Sequence, residues 1–170
     1  MLKPPNENEF ASFQKKYIDT VSGDVFETLK QQQEDFSEFI DALSPEQLDF
    51  RYAENKWSIR ELIVHIVDTE IIFNYRALAI SRGEKQVLPG FEQDAYLSFA
   101  KIEHLDKEYL LNYFMITRYA SLILFKGFTD EQWDLTGKVS EYEMSLRSFP
   151  YMLAGHLNHH VSILNERYLE

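Results

Sequence analysis

The chain predicts an all-α fold: a four-helix bundle with a long crossover between the second and third helices. Three observations carry this. Four stretches place apolar residues at helical spacing, and no segment alternates for long enough to read as a strand. Only 6 Gly and 5 Pro punctuate 170 residues, which excludes a turn-rich sandwich and a disordered chain. The linkers run short, long, short: about 14 residues, then more than 20, then about 14 again. That pattern favours two helical hairpins joined by one crossover.

The first long helix is expected from about Gly23 to Leu43, with Val25, Phe26, Leu29, Phe36, Phe39, Ile40 and Leu43 forming its stripe. Residues 1–22 read as an N-terminal extension, with a short helix from Glu9 to Tyr17 bearing Phe10, Phe13 and Tyr17. Ser44-Pro45-Glu46-Gln47 starts a helical turn, with a Ser cap, Pro at the first position and Gln at the capping-box position. Ser58-Ile59-Arg60-Glu61 is a second capping box, and the helix it opens runs to about Ser81 and stops at Gly83. The third helix spans roughly Asp106 to Gly127, with Leu111, Phe114, Leu122 and Phe125 on one side. The fourth starts between Ser145 and Pro150 and reaches the C-terminus. Everything fits one domain over residues 1–170.

The two halves also echo each other. Ala42-Leu43-Ser44-Pro45-Glu46-Gln47-Leu48-Asp49 aligns with Gly127-Phe128-Thr129-Asp130-Glu131-Gln132-Trp133-Asp134, 85 residues later. Trp57-Ser58-Ile59-Arg60 aligns with Met144-Ser145-Leu146-Arg147, 87 residues later. Two matches in one order favour a pseudo-repeat of helix, short turn, helix.

Composition narrows the function. Apolar residues make up 45% and charged residues 26%, as in an ordinary globular protein. The net charge of −11 repels phosphate backbones, so nucleic acid is not the expected partner. The absence of Cys excludes disulfides, thiolate metal sites and a thiol nucleophile of the protein's own. The N-terminal residues lack the apolar core of a signal peptide and no run reaches membrane-spanning length. The expectation is a soluble cytoplasmic protein without a membrane partner.

His156 and His160 are four apart on the last helix, so both imidazoles leave one face about a turn apart. Phe149, Met152, Leu153, Ile163 and Leu164 share that face, which turns both inward. Two buried imidazoles without partners are costly, and one metal ion satisfies both. His65, between Leu62 and Thr69, is the best third ligand, although a hydrogen-bonded core histidine explains it as well. His104, among polar crossover residues, reads as a surface residue, and His159 faces a boundary or solvent.

Arg118 interrupts the apolar stripe between Phe114 and Leu122, and a buried guanidinium needs a carboxylate. Asp68 and Glu70, on the helix of His65, are the candidate partners. Asp68 could instead hold a ligand histidine in its tautomer. Arg118 either clamps an anionic substrate or ties two helices together, so Arg118, Asp68 and Glu70 stand as candidate clamp or support residues.

Trp57-Ser58-Ile59-Arg60-Glu61-Leu62, His65, Asp68, Glu70 and Tyr75-Arg76-Ala77-Leu78 resemble the second-helix pattern of the DinB-like proteins. Leu88-Pro89-Gly90-Phe91, Arg118 and Gly155-His156-Leu157-Asn158-His159-His160 continue that resemblance in order, over roughly residues 25–168. It implies an up-down-down-up bundle binding one divalent metal through His65, His156 and His160. It also implies the chemistry of the DinB/YfiT group, metal-dependent hydrolases and transferases or isomerases that use a low-molecular-weight thiol.

The site alone implies related chemistry. Three neutral imidazoles leave a divalent ion, zinc or nickel by ligand type, with an open position. Water bound there is activated for hydrolysis, and a thiol is ionised for transfer. The expected function is therefore a metal-dependent thiol transferase or hydrolase acting on a small molecule, with a non-catalytic metal- or ligand-binding bundle as the alternative. A homodimer is also expected. Aromatic residues reach 15%, and Phe10, Phe13 and Tyr17 could form the interface. Alternatively the crossover, with Phe91, Tyr96 and Phe99, covers the aromatics as a lid.

Overall fold

Side-chain caps set where three of the four long helices begin. In the computed structural model, which describes residues 1–169, Asp24 accepts from the Phe26 amide at 2.9 Å and opens α2 (Val25–Ala42). It follows a 3-10 turn (Ser12–Gln14) and a single-turn helix α1 (Lys15–Ile18). Ser44 and Gln47 form the expected capping box of α3 (Pro45–Asp49). Ser58 accepts from the Glu61 amide at 3.2 Å while Glu61 accepts from the Ser58 amide at 2.6 Å, which opens α4 (Ile59–Ser81). Asp106 caps α6 (Lys107–Lys126), and α7 covers Ser148–Arg167 with Pro150 inside its first turn. Glu170 lies outside the described residues. Proline is tolerated in a first turn because its missing N–H has no partner there anyway.

The helix directions follow from who touches whom. On α2, Leu29 meets Arg118 of α6 while Phe36 meets Phe114, so these two run antiparallel. On α4, Asp68 meets Tyr113 and Asn74 meets Ser121, so α4 and α6 run parallel. His65 meets His156 and Phe73 meets Phe149, so α7 opposes α4. The result is a four-helix bundle in up-down-down-up order. Helices α2 and α4 both pack on α6 and α7. The members of each expected hairpin, α2 with α4 and α6 with α7, therefore lie diagonally, while α4 and α6 lie side by side. The linker from α6 to α7, unlike that from α2 to α4, crosses through a β-hairpin.

That hairpin is the main departure from the expected elements. Strands β1 (Thr136–Val139) and β2 (Tyr142–Ser145) pair antiparallel, with Val139 opposite Tyr142. The two-residue loop puts Ser140 at φ 53°, where glycine or asparagine usually stands. Four-residue strands with no Asn-Gly signature leave no period to read. The crossover joins this ribbon, since the Leu88 amide donates to Lys138 O and the Ser140 amide to Leu88 O, both at 2.8 Å. A further short helix, α5 (Gln93–Phe99), lies within the crossover. The two halves do share one turn. Gln132 Oε1 accepts from the Thr129 amide at 2.9 Å, as Gln47 does from Ser44 at 2.8 Å. The second match diverges, because Ser145 belongs to β2 and α7 starts three residues later.

A polar layer divides the core. One apolar cluster holds Val25, Leu29, Phe73, Ile80, Phe125 and Phe149, and the other holds Phe36, Ile40, Leu62, Ile66, Phe114 and Leu157. Between them Arg118 grips Glu70 with both ends of its fork, Nε to Oε1 at 2.8 Å and Nη2 to Oε2 at 2.9 Å. Its Nη1 reaches Leu29 O at 3.1 Å and Gln32 Oε1 at 3.3 Å. Ser121 donates to Glu70 at 2.6 Å, and Gln32 donates to Ala154 O at 2.8 Å and Asn158 at 2.7 Å. The layer therefore touches all four long helices.

The aromatic surplus is distributed differently from the expectation. The N-terminal segment packs down, with Phe10 buried and Tyr17 half-buried, and only Phe13 of its aromatics remains exposed. Exposed apolar stripes lie instead on α4 (Ile71, Tyr75, Leu78) and α6 (Ile116, Tyr119, Ile123). No helix among the described residues is long and apolar enough to cross a membrane.

Arg118→Ala strands the Glu70 carboxylate in the core and is expected to cost about 3–5 kcal/mol, a drop of roughly 10 °C or more in melting temperature. Pairing Arg118→Met with Glu70→Leu is expected to recover most of that loss. Thermal unfolding of both variants checks this.

Candidate metal centre

The capping box at Ser58 sets the phase of α4, and that phase turns His65 toward α7. There His156 and His160, one turn apart, meet it. His65 Nε2 lies 3.2 Å from His156 Nε2, and His160 Nε2 lies 3.0 Å from the same atom. Nitrogens of a tetrahedral zinc shell, at bond lengths of about 2.0–2.1 Å, sit about 3.3 Å apart. The three nitrogens are therefore placed as ligands of one ion would be.

All three imidazoles are buried. Burial, the largest cause, lowers the pKa of His65 to about 4 and of His160 to about 3. His156 is held well below the usual histidine range, first by burial and then by His160 and His65. The rings are neutral at physiological pH, which is the form that binds a metal. An imidazole nitrogen donates or accepts one hydrogen bond, so His156 Nε2 cannot fully satisfy both neighbours, and His160 Nδ1 is buried without a partner. A cation at the convergence point resolves that conflict, so the donor set fits a divalent ion.

The cluster opens on a cavity of about 390 Å³ whose walls include Tyr17, His65, Phe73, Arg76, Phe91 and His156. Three segments outside the bundle complete the walls: the N-terminal segment, the crossover and the β1–β2 hairpin. Gly155 makes the first possible, since a Cβ there would overlap the Tyr17 carbonyl. With that close approach, the Tyr17 ring meets His156 edge-on at 5.9 Å and His159 at 5.1 Å. Thr69, one turn beyond His65, also lines the cavity, and its hydroxyl is buried without a partner.

The other candidates are placed elsewhere. Arg118 and Glu70 are essentially sealed, at 0% and 1% exposure, and neither borders the cavity. Of the two readings of Arg118, the clamp has no cavity to act in among the described residues, because its donors are spent on Glu70, Leu29 and Gln32, which tie helices together. Asp68 supports no histidine. It accepts from Tyr113 OH at 3.1 Å, and burial raises its pKa. His104 is exposed, as its polar surroundings suggest. Of the proposed lid, Phe91 borders the cavity while Tyr96 and Phe99 remain exposed. Sequence reasoning assigned no role to Arg76, whose spacing of eleven residues from His65 returns it to the same face of α4 after three turns.

A model of the DinB superfamily matches residues 28–164. The chain belongs to the DinB superfamily. Over 76 residues it is 30% identical to a protein of Oceanobacillus iheyensis named a putative metal-dependent hydrolase, a stretch that covers 43% of this DinB chain and 44% of that protein. In structure it is similar to YfiT from Bacillus subtilis, described as a probable metal-dependent hydrolase with an unusual four-helix bundle topology. The TM-score is 0.73 at 17% identity, over 95% of this chain and 89% of YfiT. It is also similar to a mycothiol-dependent maleylpyruvate isomerase, with a TM-score of 0.68 at 11% identity over 85% of this chain and 61% of that one. At these identities the likenesses concern the fold.

Gly155→Ala forces the N-terminal segment off α7 and is expected to cost about 1–3 kcal/mol. Limited proteolysis within the first 20 residues should become faster, alongside a lower melting temperature. Acid is expected to destabilise the metal-stripped protein. Unfolded imidazoles take up protons near pH 6.5, whereas folded His65 and His160 do so only near pH 4 and 3. Between these values the unfolded chain binds more protons, so stability falls as pH drops from 6.5 toward 4. Melts across that range check this, and replacing all three histidines with glutamine should flatten the slope.

Proposed function

We propose that this DinB-superfamily protein is a metal-dependent enzyme acting on a small molecule held in the 390 Å³ cavity. The observation that carries the reading is the convergence of three buried, neutral imidazole nitrogens, two of whose rings, His65 and His156, line the cavity. His65, His156 and His160 would hold one divalent ion, with zinc or nickel best suited to imidazole ligands. Such an ion keeps an open position and lowers the pKa of water or of a small thiol bound there.

The protein's own residues supply the rest. Tyr17, Phe73 and Phe91 keep the wall apolar and exclude bulk water, which strengthens electrostatic interactions inside. Glu92 and Asp94, exposed residues that also border the cavity, are the carboxylates able to pass a released proton to solvent. The chain has no Cys, so in the transferase version the sulfur nucleophile belongs to the cosubstrate. In the hydrolase version, water takes that place.

Metal analysis of untagged protein is expected to find one ion per chain. His160→Ala should abolish it, and His104→Ala should leave it intact. Wild-type content below about 0.2 ion per chain would sink the reading. Assaying the loaded protein with small thiols against an alkyl halide or epoxide, and with water against esters, separates the two versions.

A further inference from the structure

Arg76 stands apart from the other arginines drawn into the fold. Arg118 is paired with Glu70, Arg60 with Asp49 at 2.8 Å, and Arg147 with Asp134 and, at 3.4 Å, Glu9. Arg76 is only 6% exposed, yet no carboxylate lies within 4.0 Å of it among the described residues. One contact uses its fork, Nη2 donating to Pro89 O at 2.6 Å. Its Nε and Nη1 meet no acceptor among the described residues and are not fully sealed, and Arg76 lines the cavity. The guanidinium carbon lies 5.9 Å from the Phe73 ring centroid and 5.7 Å from that of Phe91, so its apolar flanks are covered. Burial pulls its pKa below the ordinary arginine value, and only the Tyr96 hydroxyl opposes this.

We propose that Arg76 is the anion-recognition residue of the cavity, and that the substrate is a small organic carboxylate with an apolar body. The inference rests on the reading above for its substrate's reacting end. Arg76 and His65 share one face of α4, with α-carbons about 16 Å apart along the helix. The cavity they both line therefore offers a cation at one station and the histidine cluster at another. A planar guanidinium with free donors matches a carboxylate, which it can grip with two bonds. One cation faces the exposed carboxylates of Glu92 and Asp94 on the same cavity wall, which suits a single negative charge better than a doubly charged phosphate. The aromatic wall of Tyr17, Phe73 and Phe91 suits an apolar or aromatic body.

The test is direct binding by the full-length protein, metal-stripped and zinc-loaded. Benzoate, phenylacetate and 3-phenylpropionate are compared by calorimetry with their uncharged amides. At least one carboxylate is expected to bind at least about tenfold tighter than its amide in both metal states. Arg76→Gln should erase that ratio without lowering the melting temperature or the metal content, and Arg76→Lys should restore only part of it. The melting temperature separates a binding role from a structural one, because the change strands no carboxylate and the glutamine amide can still donate to Pro89 O, the one acceptor Arg76 serves.

A wild type that prefers no carboxylate over its amide overturns the proposal. So does an Arg76→Gln variant that keeps the preference, or a preference that disappears when the metal is stripped, which would make the ion the anion site. A chain that holds no metal yet keeps an Arg76-dependent preference supports this inference and sinks the proposed enzyme.

Discussion

The ion pair between Arg118 and Glu70 holds the bundle in one register. Two opposite charges at 0% and 1% exposure are expensive to dehydrate, and they persist because every edge of the pair has a partner. Apolar helix faces can slide past one another by a turn at modest cost. A bidentate guanidinium cannot, since a shift of that size would leave both charges unpaired in the core. The layer reaches α7 through Gln32, which binds Ala154 O and Asn158 on either side of His156. The same network that positions α4 against α6 thus also indexes the helix carrying two of the three histidines.

That division of labour explains why the histidine cluster sits on helices and the cavity does not. Ligand nitrogens must meet within a few tenths of an ångström, and α4 and α7 are fixed by the polar layer and by two apolar clusters. The walls need less precision, and they come from segments tied on by a few specific contacts. Gly155 lets α1 approach α7, Leu88 joins the crossover to the hairpin through backbone bonds, and Arg76 holds Pro89. Such walls can change shape or composition without disturbing the histidines.

Two buried arginines, both set in largely apolar helices, have opposite surroundings. Arg118 spends its donors on protein acceptors and stabilises the bundle. Arg76 keeps donors free beside a cavity, an arrangement that costs stability and therefore points to a ligand. A chain of −11 net charge repels small anions at long range, so a local cation is what would admit one.

The sequence by itself determined the four long helices and the capping boxes at Ser44 and Ser58. Capping boxes, stripe periodicity and the stop at Gly83 are local, and Ser58 with Glu61 makes the bonds the text of the chain suggests. It also determined the inward phase of His65, His156 and His160, because helical phase converts spacing directly into direction. Tertiary structure alone decided which carboxylate Arg118 takes. Asp68 and Glu70 are two apart on α4 and so face different ways, Asp68 toward Tyr113 and Glu70 into the core, a choice that depends on where α6 lies. It decided the hairpin too, since four-residue strands are held by Leu88 of a distant segment and not by their own propensity. And it decided the role of Arg76, because a free guanidinium is defined by the partners it lacks, and those are known only once the chain has closed around it.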